Sequence, residues 1–166
     1  MNKVYVLVGP KGSGKSYVGR LLEREFGIEF LSIEEIFVKL QGKGVSSLDV
    51  QERGYKIVEE CVSEILAKGY AVSFEITVFM PASRNLLNRL ELQAQLEIIQ
   101  VYAPLELCLE RIKNRDETKH IEISEEKIAE INKLSVNQHL ASKFRIDTSE
   151  MNDEEILEQF RVVYDD

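Results

Sequence analysis

The residue types best suited to chemistry lie together near the start of the chain, in residues 9–16, which read GPKGSGKS. The stretch follows a short apolar run and leads into a helix-like segment that begins near Lys15. Gly9, Gly12 and Gly14 are expected to allow positive φ, so that successive backbone N–H groups point into one concavity. The positive end of the following helix dipole is directed to the same place. A concavity of this kind binds phosphate.

Two side chains at the end of this stretch complete the pattern G-x-x-x-x-G-K-[ST] of a nucleotide-binding P-loop. Lys15 would place its ammonium between the β- and γ-phosphates, and Ser16 would offer its hydroxyl to Mg²⁺. The alternative is a glycine-rich turn that matches by accident, and the strand before and helix after it count against this. We therefore expect ATP and Mg²⁺ as cofactors, with ATP contacts at Gly9, Lys11, Gly12, Ser13, Gly14, Lys15, Ser16, Tyr17 and Arg111.

Length and composition predict one domain with a sizeable core, spanning residues 1–166, since 44% of the 166 residues are apolar. The net charge of -8 argues against broad binding to nucleic acid or membrane surfaces. Cys61 and Cys108 lie far apart without metal-ligand spacing, so they are expected as buried free thiols. The apolar run before Gly9 is too short for a signal peptide or a membrane span, which predicts a cytoplasmic protein. The sequence does not decide the oligomeric state, and a monomer and a homodimer are both consistent with it.

Apolar strand-like runs alternate with helical periodicity, which predicts an α/β fold. Short strands separated by helices imply a three-layer sandwich, a five-stranded parallel sheet flanked by helices. Ser32 is predicted to cap a helix with Glu35 as its capping-box partner. Ligands of such sheets bind beyond the carboxyl ends of the strands. The strands are expected near residues 3–8, 29–31, 70–74, 96–102 and 143–146.

The stretch VLVGPKGSGKSYVGRLL, residues 6–22, resembles the opening of shikimate kinase and its relatives among small P-loop kinases, adenylate-kinase-like enzymes included. The resemblance extends over essentially the whole chain. Residues 103–116 resemble the approach to the lid of these kinases, and residues 146–149 resemble their adenine-side loop. The chain carries Ser-Ile-Glu where shikimate kinases carry Asp-x-Asp, and it lacks their Gly-Gly-Gly after strand three and their Arg-Pro-Leu-Leu lid. These departures leave the acceptor open.

The resemblance and the strand-end rule together nominate catalytic residues and metal ligands. Glu75 would hold Mg²⁺ through water, or it is a solvated carboxylate. Glu34 would accept the proton of an attacking hydroxyl, or it complements the dipole of its own helix. Arg115 lies at the edge of a lid-like segment at residues 115–124. Together with Lys15, it would stabilise charge on the transferring phosphoryl group. The alternative is that Arg115 and Arg111 are a solvated pair near the end of a helix.

Acceptor contacts are assigned to residues that could reach a hydroxyl or an anion. Arg53 and Arg84 could clamp a carboxylate or phosphate through two parallel hydrogen bonds, or both are solvated on helices. Glu34 and Thr77 complete the predicted acceptor set, although Thr77 could equally contact a metal-bound water or cap a turn. Lys119 and His120 are weaker candidates for the lid-like segment (115–124).

The resemblance implies an ATP-dependent phosphotransferase that acts on a small hydroxylated or anionic acceptor. The alternative is a nucleotide-binding or slowly hydrolysing regulatory module with no acceptor. Enzymes acting on nucleic-acid ends are disfavoured by the negative charge. A GTPase is disfavoured because Asp-x-x-Gly is missing after strand three, and because Asn132-Lys133 does not continue into the guanine-reading Asn-Lys-x-Asp.

Overall fold

Strands and helices alternate along the chain in the computed structural model, which describes residues 2–44, 47–115 and 123–165, with backbone only at 47 and 48. The strands are β1 (Lys3–Val8), β2 (Glu29–Leu31), β3 (Val72–Ile76), β4 (Gln95–Tyr102) and β5 (Phe144–Asp147). The helices are α1 (Lys15–Phe26), α2 (Ile33–Gly42), α3 (Ser47–Ala67), α4 (Pro81–Leu90), α5 (Leu105–Lys113), α6 (Glu125–Asn137) and α7 (Asp153–Tyr164).

The described strands form a five-stranded sheet in the order β2-β3-β1-β4-β5. Each neighbouring pair is parallel, and β1 lies at the centre between β3 and β4. Parallel pairing brings all the carboxyl ends to one edge. The P-loop after β1 therefore lies beside the segments that follow β2 and β3 on one side and β4 and β5 on the other.

Helices cover both faces of the sheet, as the buried residues of β1 show. Val4, Val6 and Val8 pack into a core with α3 and α4, while Tyr5 and Leu7 pack into a second core with α1 and α7. Burial on both faces explains why β1 is a continuous apolar run without alternation. The predicted α/β sandwich is confirmed.

Local capping agrees with the sequence at the start of α2, with one correction. The Ser32 hydroxyl accepts the Glu35 N–H at 3.3 Å, which caps the helix as expected. The Glu35 carboxylate, however, pairs with Arg20 at 3.2 Å and is directed away from the cap. A partner from α1 thus replaces the reciprocal bond of a capping box.

The two cysteines occur as free thiols, Cys108 buried and Cys61 half-buried. The described ranges contain no helix with the length and apolar character needed to span a membrane.

Candidate active site

The P-loop wraps the carboxyl end of β1 in the conformation that its glycines permit. Gly12 and Gly14 have φ of 84° and 96°, and these left-handed values favour glycine. Gly9 is a correction, because it is not among the residues with positive φ. It is needed for close approach instead, since a Cβ there would lie 1.8 Å from the Val101 carbonyl oxygen.

Lys15 lies inside the loop with its ammonium turned towards the backbone. Its Nζ donates to the Gly9 and Pro10 carbonyl oxygens, each at 2.8 Å. Burial lowers the pKa of Lys15, the charge of Lys11 adds to this, and the carboxylates of Glu75 and Glu34 oppose it. A desolvated ammonium interacts strongly with any anion that reaches it, because little water screens the attraction.

The loop is also tied to the end of β5 through Thr148, a residue that the sequence placed only in the adenine-side loop. The Thr148 hydroxyl donates to the Ser13 carbonyl oxygen at 2.6 Å. Arg111 donates to the Thr148 hydroxyl oxygen at 2.8 Å, to its carbonyl oxygen at 3.1 Å and to the Gly12 carbonyl oxygen at 3.3 Å. Arg111 therefore braces the loop, whatever contact it also makes with a nucleotide.

A third tie comes from Asn132 on α6, which sequence reasoning did not assign to the site. Its side-chain oxygen accepts the Lys11 N–H at 2.7 Å, and its amide donates to the Lys11 carbonyl oxygen at 3.0 Å. Asn132 is 1% exposed and pairs with the backbone as another peptide group would. The buried stripe of α6 consists of Ile128, Asn132 and Ser135. The apolar residues Ile131 and Leu134 indicate a neighbouring face, so the sequence carried no clear signal for Asn132.

Glu75 lies on β3 next to the P-loop strand and is nearly buried. Its Oε1 accepts from the Ser32 hydroxyl at 3.2 Å and from the Glu34 N–H at 3.3 Å. Its Oε2 is buried without a hydrogen-bond partner among the described residues. Burial raises the pKa of Glu75, while the backbone N–H of Glu34 and the charge of Lys15 oppose the shift.

The oxygen atoms around Ser16 and Glu75 fit Mg²⁺. Both residues line the same cavity, and Glu75 keeps one carboxylate oxygen without a hydrogen-bond partner in the described part of the chain, as a carboxylate that holds Mg²⁺ through water would need. Within the described ranges there is no cluster of three or more His, Cys, Asp or Glu side chains suited to a metal. Mg²⁺ usually keeps several waters and binds through one or two protein groups plus substrate phosphates, so this sparse donor set is appropriate.

Glu34 follows the end of β2 and faces two cations. Lys11 Nζ lies 3.1 Å from Glu34 Oε1, and an Arg115 guanidinium nitrogen lies 3.8 Å from the same atom. The three side chains are 13%, 18% and 23% exposed for Lys11, Glu34 and Arg115, so water screens their charges only in part. This triad joins the P-loop, α2 and the end of α5.

One cavity of about 610 Å³ connects these groups. It begins at the P-loop, passes Glu34, Glu75 and Thr77, and continues between α2, α3 and α6. Tyr17 also lines it, with its hydroxyl donating to Asp153. Two predicted ATP contacts in the P-loop, Gly9 and Ser13, do not line the cavity, and Ser13 is fully buried.

Two predicted acceptor residues are not brought to this cavity. Arg53 on α3 and Arg84 on α4 are exposed, and neither lines it. The guanidinium of Arg84 lies over the Phe79 ring instead, 5.4 Å from its centroid. Lys119, His120 and most of the lid-like segment (115–124) lie outside the described residues.

Comparison with known proteins agrees with this geometry. A shikimate kinase of Thermodesulfovibrio yellowstonii is 23% identical over 175 residues, covering 98% of this chain and 95% of that enzyme. A sugar kinase of Janibacter sp. superposes with a TM-score of 0.69 at 13% identity, covering 99% of this chain and 95% of that one. Shikimate kinase of Aquifex aeolicus superposes with a TM-score of 0.62 at 17% identity, covering 98% and 96%.

These likenesses confirm the predicted P-loop kinase fold and the resemblance to the shikimate-kinase-like group. The curated shikimate kinase relatives confirm the predicted enzyme class, an ATP-dependent small-molecule kinase, and leave its acceptor open.

The sequence profile of one family covers the residues that build the site. The AAA domain family matches residues 4–135, a range that holds the P-loop, Glu34, Glu75, Arg115 and Asn132. Because the match spans most of the chain, the protein belongs to the AAA domain family.

Proposed function

We propose that the protein transfers the γ-phosphoryl group of ATP to a small hydroxylated or anionic acceptor. The observation that carries the proposal is the continuity of the cavity, which runs from the P-loop into a compartment walled by α2, α3 and α6. A nucleotide-binding module needs the first part only. A phosphotransferase needs both, with the reacting oxygen held between them.

The charged side chains of the cavity fit separate tasks in this transfer. Lys15 and the backbone N–H groups of the P-loop would hold the phosphates. Arg115 and Lys11 would neutralise charge on the transferring group, because both lie beside its path from the loop into the compartment. Glu34 would orient the acceptor hydroxyl and take its proton. Thr77, which lines the same wall, would position the acceptor.

Ser16 and Glu75 would hold Mg²⁺, which supplies neutralisation of phosphate charge when bound. The burial of Glu75 keeps its geometry fixed, since Ser32 and the Glu34 backbone both hold its other oxygen. This arrangement ties the metal ligand to the same turn that carries Glu34. The predicted roles of Arg53 and Arg84 are not part of the proposal, since neither residue lines the cavity.

The test is Mg²⁺-dependent ADP production with and without acceptors: shikimate, gluconate, nucleosides, nucleoside monophosphates, amino sugars and short RNA. Lys15→Ala is compared with Lys68→Ala, an exposed lysine that does not line the cavity. We expect stimulation by one acceptor class, lost in Lys15→Ala and kept in Lys68→Ala. ATP binding with acceptor-independent turnover across all classes would favour the regulatory module instead.

The remaining sequence-based expectations, a single domain, a cytoplasmic location and a monomer or homodimer, stay predictions. Gel filtration with light scattering tests the last of them.

A further inference from the structure

The compartment beyond the P-loop is walled largely by apolar side chains. Ile33 and Phe37 come from α2, Tyr55 from α3, Val78 and Met80 from the segment after β3, and Leu134 from α6. These residues surround the space next to Glu34 and Thr77 where an acceptor would lie. A wall of this composition favours a ligand with an apolar surface.

Two of these side chains leave unusually large apolar surface exposed. Met80 is 47% exposed and Leu134 is 60% exposed, and both line the cavity. Covering apolar surface of this kind is favourable. A polar acceptor would gain nothing from it, whereas an apolar body would.

Two aromatic rings of the compartment, Phe37 and Tyr55, are packed in a fixed arrangement. The Phe37 and Tyr55 rings meet edge to face, 5.3 Å between centroids at 84°. Phe37 reaches this position because residue 54 is glycine: a Cβ there would lie 2.1 Å from Phe37 Cε1. Gly54 lies inside α3, where glycine is unfavourable relative to alanine. Glycine at position 54 therefore leaves the space that the Phe37 ring occupies.

The cations of the described cavity are concentrated at its phosphate end. Lys15 and Arg111 contact the loop backbone, and Lys11 and Arg115 face Glu34. Lys127 is exposed in the first turn of α6 and pairs with Glu130. A carboxylate or phosphate on the acceptor would need a cation at the apolar wall. Among the cations that line the described cavity, the one nearest in sequence to Ile131 and Leu134 is Lys127, whose exposed ammonium would hold an anion only weakly. The two arginines predicted for that task do not line the cavity.

We propose that the acceptor is a small neutral alcohol with an aromatic or alicyclic body. The body packs against Phe37, Met80 and Leu134, and its hydroxyl is directed to Glu34. This inference rests on the proposed phosphotransfer. In the reaction, the hydroxyl oxygen bonds to the γ-phosphorus of ATP and the bond from that phosphorus to the bridging oxygen breaks. ADP leaves with the electron pair, and the hydroxyl proton passes to the Glu34 carboxylate.

The experiment uses phenyl, naphthyl and cyclohexyl alcohols, each paired with the hydroxy acid that carries a carboxylate on the same ring. Binding is measured by calorimetry with Mg²⁺ and the β,γ-methylene analogue of ATP, and turnover by ADP production with ATP. We expect the alcohols to bind and to stimulate turnover, and their acid partners to bind more weakly.

Variants separate a specific site from general hydrophobic binding. Leu134→Ser should weaken alcohol binding about tenfold, while Leu92→Ser, at a leucine that is 88% exposed and outside the cavity, should leave it unchanged. Gly54→Ala should raise KM for the alcohol without raising KM for ATP. Thermal unfolding of Gly54→Ala should occur at a lower temperature, because the added Cβ would lie 2.1 Å from Phe37 Cε1 and overpacking of this kind is destabilising.

The outcomes distinguish this inference from the proposed function. Stimulation by the hydroxy acids alone would overturn the acceptor class while the kinase activity stands, as would equal weakening by Leu134→Ser and Leu92→Ser. Absence of alcohol binding would also overturn it. Binding of alcohols that leaves ADP production unchanged would support the ligand class and contradict phosphotransfer to it.

Discussion

Replacing Asn132 tests whether α6 holds the P-loop in place. Asn132→Leu keeps the approximate volume of the side chain but removes both hydrogen bonds to Lys11, the N–H bond at 2.7 Å and the carbonyl bond at 3.0 Å. Both bonds are part-buried, so each of the two Lys11 backbone groups left unpaired costs about 1–2 kcal/mol, the lower part of the range for a buried group. We therefore expect the free energy of unfolding to fall by about 2–4 kcal/mol.

The loss of these hydrogen bonds should lower Tm and change the steady-state kinetics. For a chain of this size each kcal/mol shifts Tm by about 2–4 °C, so Tm should fall by about 4–16 °C. The side chain of Lys11 should lose its fixed position against Glu34, because its backbone is no longer held. We expect KM for ATP to rise more than kcat falls.

The assays are denaturant unfolding, thermal unfolding and steady-state kinetics. Asn137→Leu is the matched control, since Asn137 is exposed on the same helix. A fall in unfolding free energy no larger than that of the control would refute the reasoning. So would a stability loss with unchanged KM for ATP, which would make Asn132 a packing residue alone.

Three further changes probe the charged groups. Lys15→Ala should remove most ADP production while circular dichroism stays native; turnover near the wild-type rate would contradict the P-loop assignment. Glu75→Gln should lower Mg²⁺-dependent turnover yet raise the free energy of unfolding at alkaline pH. Burial raises the pKa of Glu75 in the folded state, so the folded protein holds a proton that the unfolded chain has already lost. The free energy of unfolding of the wild type therefore declines as pH rises from the unfolded pKa to the folded pKa. Urea titrations that give parallel pH profiles for the wild type and Glu75→Gln would contradict this prediction. Arg115→Ala should lower kcat more than it raises KM for ATP, since its charge acts on the transferring group. Arg84→Ala is the control, and an equal fall in kcat in both variants would contradict a role for Arg115 in the transfer.

The fold could be predicted because its signals are local. The glycine spacing of the P-loop and the buried run of β1 need no partner to be recognised. The rule for carboxyl ends of parallel strands also nominated Glu34, Glu75 and Thr77, which the structure brings to one cavity. Gly9 shows the limit of local reasoning, because the constraint there is the Val101 carbonyl of a neighbouring strand.

The arginines of the helices were placed without regard to helix phase. Tyr55 and Val58 are buried, so the inward stripe of α3 already included position 55. Arg53 is two residues earlier, about 200° around the helix, and therefore faces solvent. On α4, Ser83 and Leu86 are buried, which turns Arg84 outward by the same reasoning.

Neither the burial of Asn132 nor its partner could be predicted from the sequence. A polar residue on the buried stripe of a helix requires a hydrogen-bonding partner, but the apolar residues Ile131 and Leu134 indicate a different face of α6 from the one that is buried. The partner is the backbone of Lys11, 121 residues away. Backbone groups carry no sequence signal, so only the tertiary structure identifies them.

The two ends of the cavity are held by different kinds of force, and this sets how each responds to substitution. The P-loop end is fixed by directional hydrogen bonds from Thr148, Arg111 and Asn132, so single changes there should damage nucleotide binding broadly. The acceptor end is walled mainly by apolar side chains, and those that are largely exposed, Met80 and Leu134, lose little packing when they are replaced. Substitutions at Met80 and Leu134, both exposed to the cavity, should therefore change acceptor preference while KM for ATP stays constant.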